Sequence, residues 1–278
     1  MLNIDLHCHS NISDGLLPPA EVAARAKANG VDVWALTDHD EIGGVTIARE
    51  AAAALGLRYI PGVEISVTWA GQTVHIVGLR IDEKNEALVQ GLAALRNGRL
   101  QRARDIAAAL ETAGIPDAFD GAFKYIGNPD LMSRTHFARY IVEIGRCADI
   151  KEVFRNYLCK GKPGYVPHRW ATLKDAVDWI RGAGGVAVIA HPGRYQYSEL
   201  EFRVLFDEFK QYNGAAIEVT TGSHTPDQYE QYARVARHYG FLASMGSDFH
   251  GPGESRVDLG ALPPLPSGLT PVWHDWGL

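Results

Sequence analysis

Asp5-Leu6-His7-Cys8-His9, with Ser13-Asp14-Gly15 just behind it, is the stretch that decides how the chain folds. Residues 1–6 alternate apolar and polar as a short strand does, so His7 and His9 project from one side and Cys8 from the other, toward a core. Side chains two apart on one strand face stand about 6.7 Å apart along the strand. Two imidazoles at that spacing can converge on one cation through bonds of about 2.0–2.1 Å. A His-x-His pair alone says little. Its weight comes from similar His and carboxylate pairs that close other strand-like runs downstream.

Outward from this stretch, a helix opens at Pro18-Pro19-Ala20-Glu21 and runs to Asn29-Gly30, with proline in its first turn and glycine beyond its last. A buried strand over 31–37 ends in Thr37-Asp38-His39-Asp40, a helix follows over 44–55, and 58–66 forms a third strand with Glu64 inside it. Gln72–Leu79 is a fourth, carrying His75 between Val74 and Ile76. This βαβα rhythm predicts a parallel sheet or barrel. From residue 86 it gives way to Ala- and Leu-rich helical sequence up to 113 and then to irregular helix and loop up to Pro167. It resumes at Thr172, and strands over 186–190, 215–219 and 242–246 lead into His191-Pro192, Thr220-Thr221-Gly222-Ser223-His224 and Ser247-Asp248-Phe249-His250. The expected division is an α/β barrel built from 1–98 and 168–278, and a mostly helical insertion at 99–167. The tail after Leu262 reads as extended coil.

Charge supports that division. The chain of 278 residues carries −6, yet the segment from Arg96 to Arg169 holds 13 Lys or Arg against 8 Asp or Glu, and the remainder 14 against 25. An acidic barrel argues against a long nonspecific nucleic-acid groove, whereas a small phosphate ligand remains compatible because bound divalent ions reverse the local sign. No run of eighteen apolar residues predicts a membrane span. Three cysteines without metal or disulfide spacing, and a first strand that leaves no room for a signal peptide, predict a reduced, cytoplasmic setting with no obligate protein partner evident.

In parallel α/β folds the C-terminal strand ends converge on one face, where sites are built. Reading those ends gives His7, His9, Asp14, His39, Glu64, His75, His191, Asp248 and His250. Each has an ordinary explanation alone: His75 as a core histidine, Asp38, Asp40 and Asp248 as helix caps, His191 as a turn residue before proline. One polynuclear metal site explains them together.

The set Asp5-Leu6-His7-Cys8-His9, Ser13-Asp14-Gly15, Thr37-Asp38-His39-Asp40, Pro61-Gly62-Val63-Glu64, Ala190-His191-Pro192 and Ser247-Asp248-Phe249-His250 resembles the polymerase-and-histidinol-phosphatase (PHP) superfamily. The resemblance implies a distorted seven-stranded (β/α) barrel holding two to three divalent ions, Mn²⁺, Zn²⁺ or Fe²⁺. It implies one ion on His7, His9, Glu64 and Asp248, a second on Glu64, His75 and His191, and a third on Asp14, His39 and His250, with Asp5, Asp38 and Asp40 accepting from the ligand imidazoles. Many members carry histidine where this chain has Asp14, so the third position has harder oxygen character that favours Mn²⁺ over Zn²⁺. Three such ions against Glu64, Asp14, Asp248 and one hydroxide leave about +2, a pocket for phosphate. The expected chemistry is in-line attack by a metal-bound hydroxide, with no protein nucleophile.

Inside the insertion, Leu131-Met132-Ser133-Arg134-Thr135-His136-Phe137-Ala138-Arg139 opens a helix capped by Ser133. Arg134 opposes the helix dipole in its first turn and so reads as a phosphate contact. His136, Lys160, Lys162, His168 and His224 complete the candidate substrate-binding set. The Arg134 segment and the Lys160-Gly161-Lys162-Pro163 loop resemble the PHP branch that contains nucleoside 3′,5′-bisphosphate phosphatases and 5′-end RNA-trimming enzymes. The resemblance therefore implies removal of the 3′-phosphate from a small nucleotide such as pAp. The alternatives are a 5′-to-3′ exonuclease on short 5′-phosphorylated oligonucleotides, a histidinol phosphatase, and a noncatalytic metal-binding module.

Overall fold

Val33-Trp34-Ala35-Leu36 is buried at every position, as a strand must be when helices cover one face and a barrel interior fills the other. The computed structural model, which describes residues 2–278, places this run second in a seven-stranded sheet whose order follows the chain. The strands are β1 (Ile4–Asp5), β2 (Val33–Leu36), β3 (Arg58–Trp69), β4 (Gln72–Leu79), β5 (Val186–Ile189), β6 (Ala216–Thr221) and β7 (Leu242–Gly246). First and last meet. The Leu6 N–H donates to the Met245 carbonyl (3.1 Å), Asp248 N–H to the His7 carbonyl (2.8 Å) and His9 N–H to the Phe249 carbonyl (2.9 Å), closing the sheet into a barrel.

The expectation of uniformly parallel strands is corrected at β4. It runs antiparallel to both β3 and β5, while β1–β2–β3 and β5–β6–β7 are parallel. The turn Ala70-Gly71, with both residues at positive φ, makes β3 and β4 a hairpin that continues beyond the barrel rim. Glu64 therefore lies within its strand rather than at its end, and His75 lies midway along its own. Register sets Ser66 opposite His75, so Glu64 and His75 sit diagonally on one face.

Ten helices surround or extend this sheet: α1 (Pro19–Ala28), α2 (Val45–Leu55), α3 (Glu86–Arg96), α4 (Arg99–Thr112), α5 (Ala118–Phe123), α6 (Arg134–Glu143), α7 (Ile150–Val153), α8 (Leu173–Gly182), α9 (Glu199–Gln211) and α10 (Pro226–Tyr239), counted among the described residues. The helical run expected over 86–113 is broken at Asn97-Gly98. Side chains of α3, α8, α9 and α10 pack against Val63, Ile65, Ile76 and Ile217 on the outside of the barrel. A separate apolar cluster (Ala103, Leu110, Phe137, Ile141, Leu158) draws only on residues between 103 and 166. The coil after Leu262 pairs beside β7 through Ala243 N–H to the Thr270 carbonyl (2.8 Å) and brings Trp273 and Trp276 against the core of Ile4, Val33 and Val188.

Closure requires close approach of backbones where β7 ends. A Cβ built on Gly246 would stand 2.2 Å from the His7 Cβ and 2.5 Å from its nitrogen, just past the end of β1, where the main chain is tied to β7 by the Asp248 N–H bond to the His7 carbonyl. Gly246→Ala is expected to lower stability by about 1–3 kcal/mol through overpacking. Thermal unfolding of the metal-free protein checks it, and an unchanged midpoint would contradict this tight seam.

Candidate metal centre

All nine residues proposed from the sequence come together in space, seven from the loops that follow strands and Glu64 and His75 from within the β3–β4 hairpin. Glu64, fully buried on β3, faces five imidazoles: His39 Nδ1 at 2.9 Å, His191 Nε2 at 2.9 Å, His75 Nδ1 at 3.1 Å, and His7 and His9 Nε2 at 3.4 Å each. His7 and His9 bring their Nε2 atoms to 3.2 Å of each other, and Asp248 Oδ1 stands 3.6 and 3.3 Å from them. Asp14 Oδ1 lies 3.8 Å from His39 Nε2 and 3.4 Å from His250 Nε2, and the His9 ring stacks on each of those two rings, with centroids 4.4 and 4.2 Å away. Cys8 points away, its thiol donating to the Ala35 carbonyl (3.3 Å) and accepting from the Trp34 indole (3.0 Å).

Strained backbone aims these groups. Asp40, His191 and Asp248 adopt positive φ (51°, 28° and 55°) in the loops that follow β2, β5 and β7. Non-glycine residues hold such angles at a cost of order 1–3 kcal/mol each, and only where the surroundings impose them. At Gly15 the reason is space, since a Cβ there would stand 2.5 Å from the His9 carbonyl oxygen.

Electrostatics split the imidazoles into two sets. Burial pushes His9 and His191 down to about 3 and lowers His75. Burial also opposes the charge of His7, His39 and His250, but neighbouring carboxylates win. Glu218 and Glu64 raise His7, Glu64 and Asp14 lift His39 to about 9, and Asp14 and Asp248 raise His250. Glu64, Asp14 and Asp248 resist the effect of burial in turn and stay well below the usual carboxylate range, held there by these rings.

The donors fit divalent cations. His9 Nδ1, Asp14 Oδ1, Glu64 Oε2, His191 Nδ1 and Asp248 Oδ1 are buried without a hydrogen-bond partner, a costly state for polar atoms unless something else satisfies them. Four overlapping sets, His9/Asp14/His39/His250, His7/His191/Asp248, His7/His9/Glu64 and His39/Glu64/His75, each bring ligand atoms within 4.8 Å of one another. Imidazole and carboxylate together suit Mn²⁺, Fe²⁺ or Zn²⁺, and the protons held on His7, His39 and His250 are ones a cation displaces.

The supporting residues differ from expectation. Asp5, Asp38 and Asp40 accept from no imidazole. Asp5 takes the Ser247 and Gly260 N–H groups (2.8 and 3.1 Å), Asp38 takes Ser10 N–H and the Ser10 and Ser13 hydroxyls, and Asp40 takes Ser66 N–H and the Arg99 guanidinium. They brace the loops that carry the histidines. The carboxylate that does orient a ring is Glu218 on β6, missed from the sequence: His7 Nδ1–H donates to its Oε1 (2.8 Å) and His191 N–H to its Oε2 (2.6 Å). Its signal was an acid in a strand buried at every position. Arg194, also missed, donates to Asp248 Oδ2 (2.9 Å) from a half-exposed position.

A cleft of about 690 Å³ opens beside Asp248 and His250, walled by Ile150, Phe154, Arg194 and Arg256. Behind Phe154, whose ring lies 5.5 Å from the Arg134 guanidinium, sits a buried cationic group. Burial, with Arg134 and Arg99 nearby, depresses Arg102 to about 9, and burial likewise lowers Arg134. His168 adjoins this group, its ring 4.2 Å from that of Trp170 and its basicity lowered by burial, Arg102 and Arg99. Four substrate candidates are placed otherwise than expected. His224 is buried with both ring nitrogens engaged, Nδ1–H donating to the Val219 carbonyl (3.0 Å) and Nε2 accepting from Gly193 N–H (2.9 Å), so no polar atom remains for a ligand. Lys160 and Lys162 are exposed to solvent, unlike the buried Arg99 and Arg102. His136 is wholly buried and caps α6, its Nδ1 accepting from Ser133 N–H (3.0 Å).

A closed β/α barrel with a buried acid–imidazole centre on one face defines a metal-dependent hydrolase, and the chain belongs to the PHP domain family, which matches residues 5–222. It is 51% identical over 275 residues (99% of this chain, 96% of the relative) to a 3′,5′-nucleoside bisphosphate phosphatase of Chromobacterium violaceum. It is also 43% identical over 274 residues (98% and 93%) to the 5′-3′ exoribonuclease Rnm of Salmonella typhimurium. A solved C. violaceum amidohydrolase with bound sulfate superposes at a TM-score of 0.95, with 52% identity, covering 98% of this chain and 94% of that one. A Bifidobacterium adolescentis protein assigned as a metal-dependent phosphoesterase superposes at 0.82 with 26% identity, covering 97% and 92%. The chain is thus a hydrolase of phosphoesters that uses divalent metal. Among the described residues no helix is long and apolar enough to cross a membrane.

Because Glu218 fixes the His7 ring and its tautomer, Glu218→Gln is expected to weaken divalent-ion affinity about 10- to 100-fold. Isothermal titration with Mn²⁺ measures it, and wild-type affinity would remove Glu218 from this role.

Proposed function

We propose that the chain removes the 3′-phosphate from small nucleoside 3′,5′-bisphosphates of the pAp type, giving a 5′-nucleotide and inorganic phosphate. The observation that carries this reading is the pairing of two anion-attracting places: the centre around Glu64, and the buried Arg99–Arg102–Arg134 group behind Phe154. A substrate with two phosphates uses both. The 51% identity to a nucleoside bisphosphate phosphatase supports the same reading.

Two or three ions, with Mn²⁺ favoured by the oxygen of Asp14, would be held by His7, His9, Glu64 and Asp248, by His75 and His191 with Glu64, and by Asp14, His39 and His250. Bound there, divalent ions supply acidified water and positive charge for phosphoryl oxygens. The chain's own residues do the rest. Arg194 reaches from the cleft wall to the nonbridging oxygens of the reacting phosphate, while Asp248 holds its guanidinium in place. Phe154 and Ile150 offer the nucleoside an apolar wall, and Arg134, against the far side of the Phe154 ring, takes the second phosphate together with Arg102 beside it. Residues 99–167 act as a cap on the barrel of 1–98 and 168–278 and supply that second place.

A 5′-to-3′ exonuclease reading draws on one further feature. The cleft carries Lys151, Arg155 and Arg256 around its wall, cations that suit a continuing sugar–phosphate chain. With Mn²⁺-loaded protein, pAp is expected to turn over faster than 5′-phosphorylated di- to tetranucleotides. Faster release of mononucleotides than of phosphate would assign the exonuclease instead.

Arg134→Ala is expected to retain its metal and fold while weakening nucleotide binding by about 1.5–3 kcal/mol, the range for a hydrogen bond to a charged group. Steady-state kinetics with pAp show this as a raised KM, and an unchanged KM and kcat would exclude Arg134 from the site.

A further inference from the structure

Asp14 is the one residue of the centre that the inserted segment grips directly. Its Oδ2 accepts from the Thr135 hydroxyl at 3.0 Å and from the Ser133 hydroxyl at 3.2 Å, both at the start of α6. Its carbonyl accepts from Arg139 Nη2 at 2.6 Å, and Arg139 is itself fixed by a two-point pair with Glu254 (2.8 Å at both contacts). The other carboxylate oxygen, Oδ1, is buried, has no hydrogen-bond partner and faces His250 and His39. The two oxygens of one carboxylate are therefore divided, one filled by hydroxyl donors and one left open toward two imidazoles.

We infer that Thr135 and Ser133 are positioning residues for a cation at Asp14, His39 and His250, and that the inserted segment thereby sets how tightly that place is filled. A carboxylate free to rotate can offer either oxygen, or both at once, to a cation or to neighbouring donors. Two hydroxyls on Oδ2 permit only Oδ1 to turn inward and hold it at one angle. Ser133 is already committed as the helix cap, its oxygen accepting from Thr135 N–H at 3.1 Å, so its hydroxyl proton is free for Asp14. Thr135 has no such second duty and also borders the cleft, which makes it the cleaner probe. This inference rests on the centre being a metal centre, and the test separates failure of the one from failure of the other.

Metal-free wild type, Asp14→Asn, Thr135→Val, Thr135→Ala and Thr135→Ser are titrated with Mn²⁺, following free Mn²⁺ by electron paramagnetic resonance, and bound ions per chain are counted by elemental analysis after gel filtration. Thermal unfolding of each metal-free variant verifies the fold. Val keeps the shape of Thr and removes only the hydroxyl, and Ala provides a second removal should Val misfold. The expected result is that Thr135→Val and Thr135→Ala bind their weakest ion about 10- to 100-fold less tightly and emerge short by the same ion that Asp14→Asn lacks. Thr135→Ser is expected to restore the wild-type count. A full complement at wild-type affinity in both hydroxyl-free variants overturns the positioning role while leaving the centre intact. A wild type that binds no Mn²⁺ overturns the centre itself.

Discussion

A single carboxylate buried among five rings is the constraint from which the rest of this structure follows. Glu64 has no exposed surface, and an isolated charge there would be strongly disfavoured. It is tolerated because His7, His9, His39, His75 and His191 all stand within 3.4 Å of its oxygens. To bring those rings together the barrel must close, β7 against β1, and the glycine at that seam is what lets the backbones meet. The β3–β4 hairpin serves the same end. It carries Glu64 and His75 past the rim on neighbouring strands, where a crossover connection would have separated them.

The two charge regimes of the chain meet at this centre. The barrel supplies carboxylates and rings, and the segment around α6 supplies arginines and hydroxyls. Each alone would be unstable in its charge: Arg102 is depressed by burial among other guanidinium groups, and the acids of the barrel end are held ionised by imidazoles, with Arg194 adding to their effect at Asp248. Arg99 links the sides through its ion pair with Asp40, and Arg139 through its grip on Asp14 and Glu254. The basic residues of this region thus act in two ways, some as fasteners to the barrel and some as an uncompensated cluster that calls for an anion.

Much of this was legible from residue order. A histidine or acid that ends an apolar run is placed on the rim by strand geometry alone, so His7, His9, His39, His191, Asp248 and His250 could be read without coordinates. The direction of β4 could not, because Gln72–Leu79 shows the same alternation whether the strand runs up or down. Side-chain aim past a strand end was equally hidden. Asp5 shares the parity of His7 and His9, yet it accepts from Ser247 and Gly260, residues distant in the chain. His224 follows a strand as the metal-facing histidines do, but both its nitrogens are consumed by backbone. Glu218 was within reach of the same reasoning that found Glu64, an acid inside an otherwise uncharged buried strand. Arg194 carried no pattern at all.

The central claim is that these nine side chains form one centre for divalent ions. Crystals grown with Mn²⁺ and measured at the manganese absorption edge test it most directly. The account predicts anomalous peaks within bonding distance of Glu64 and its surrounding imidazoles. A map in which Glu64 and His191 remain joined by their direct contact, with no peak against either, would contradict it.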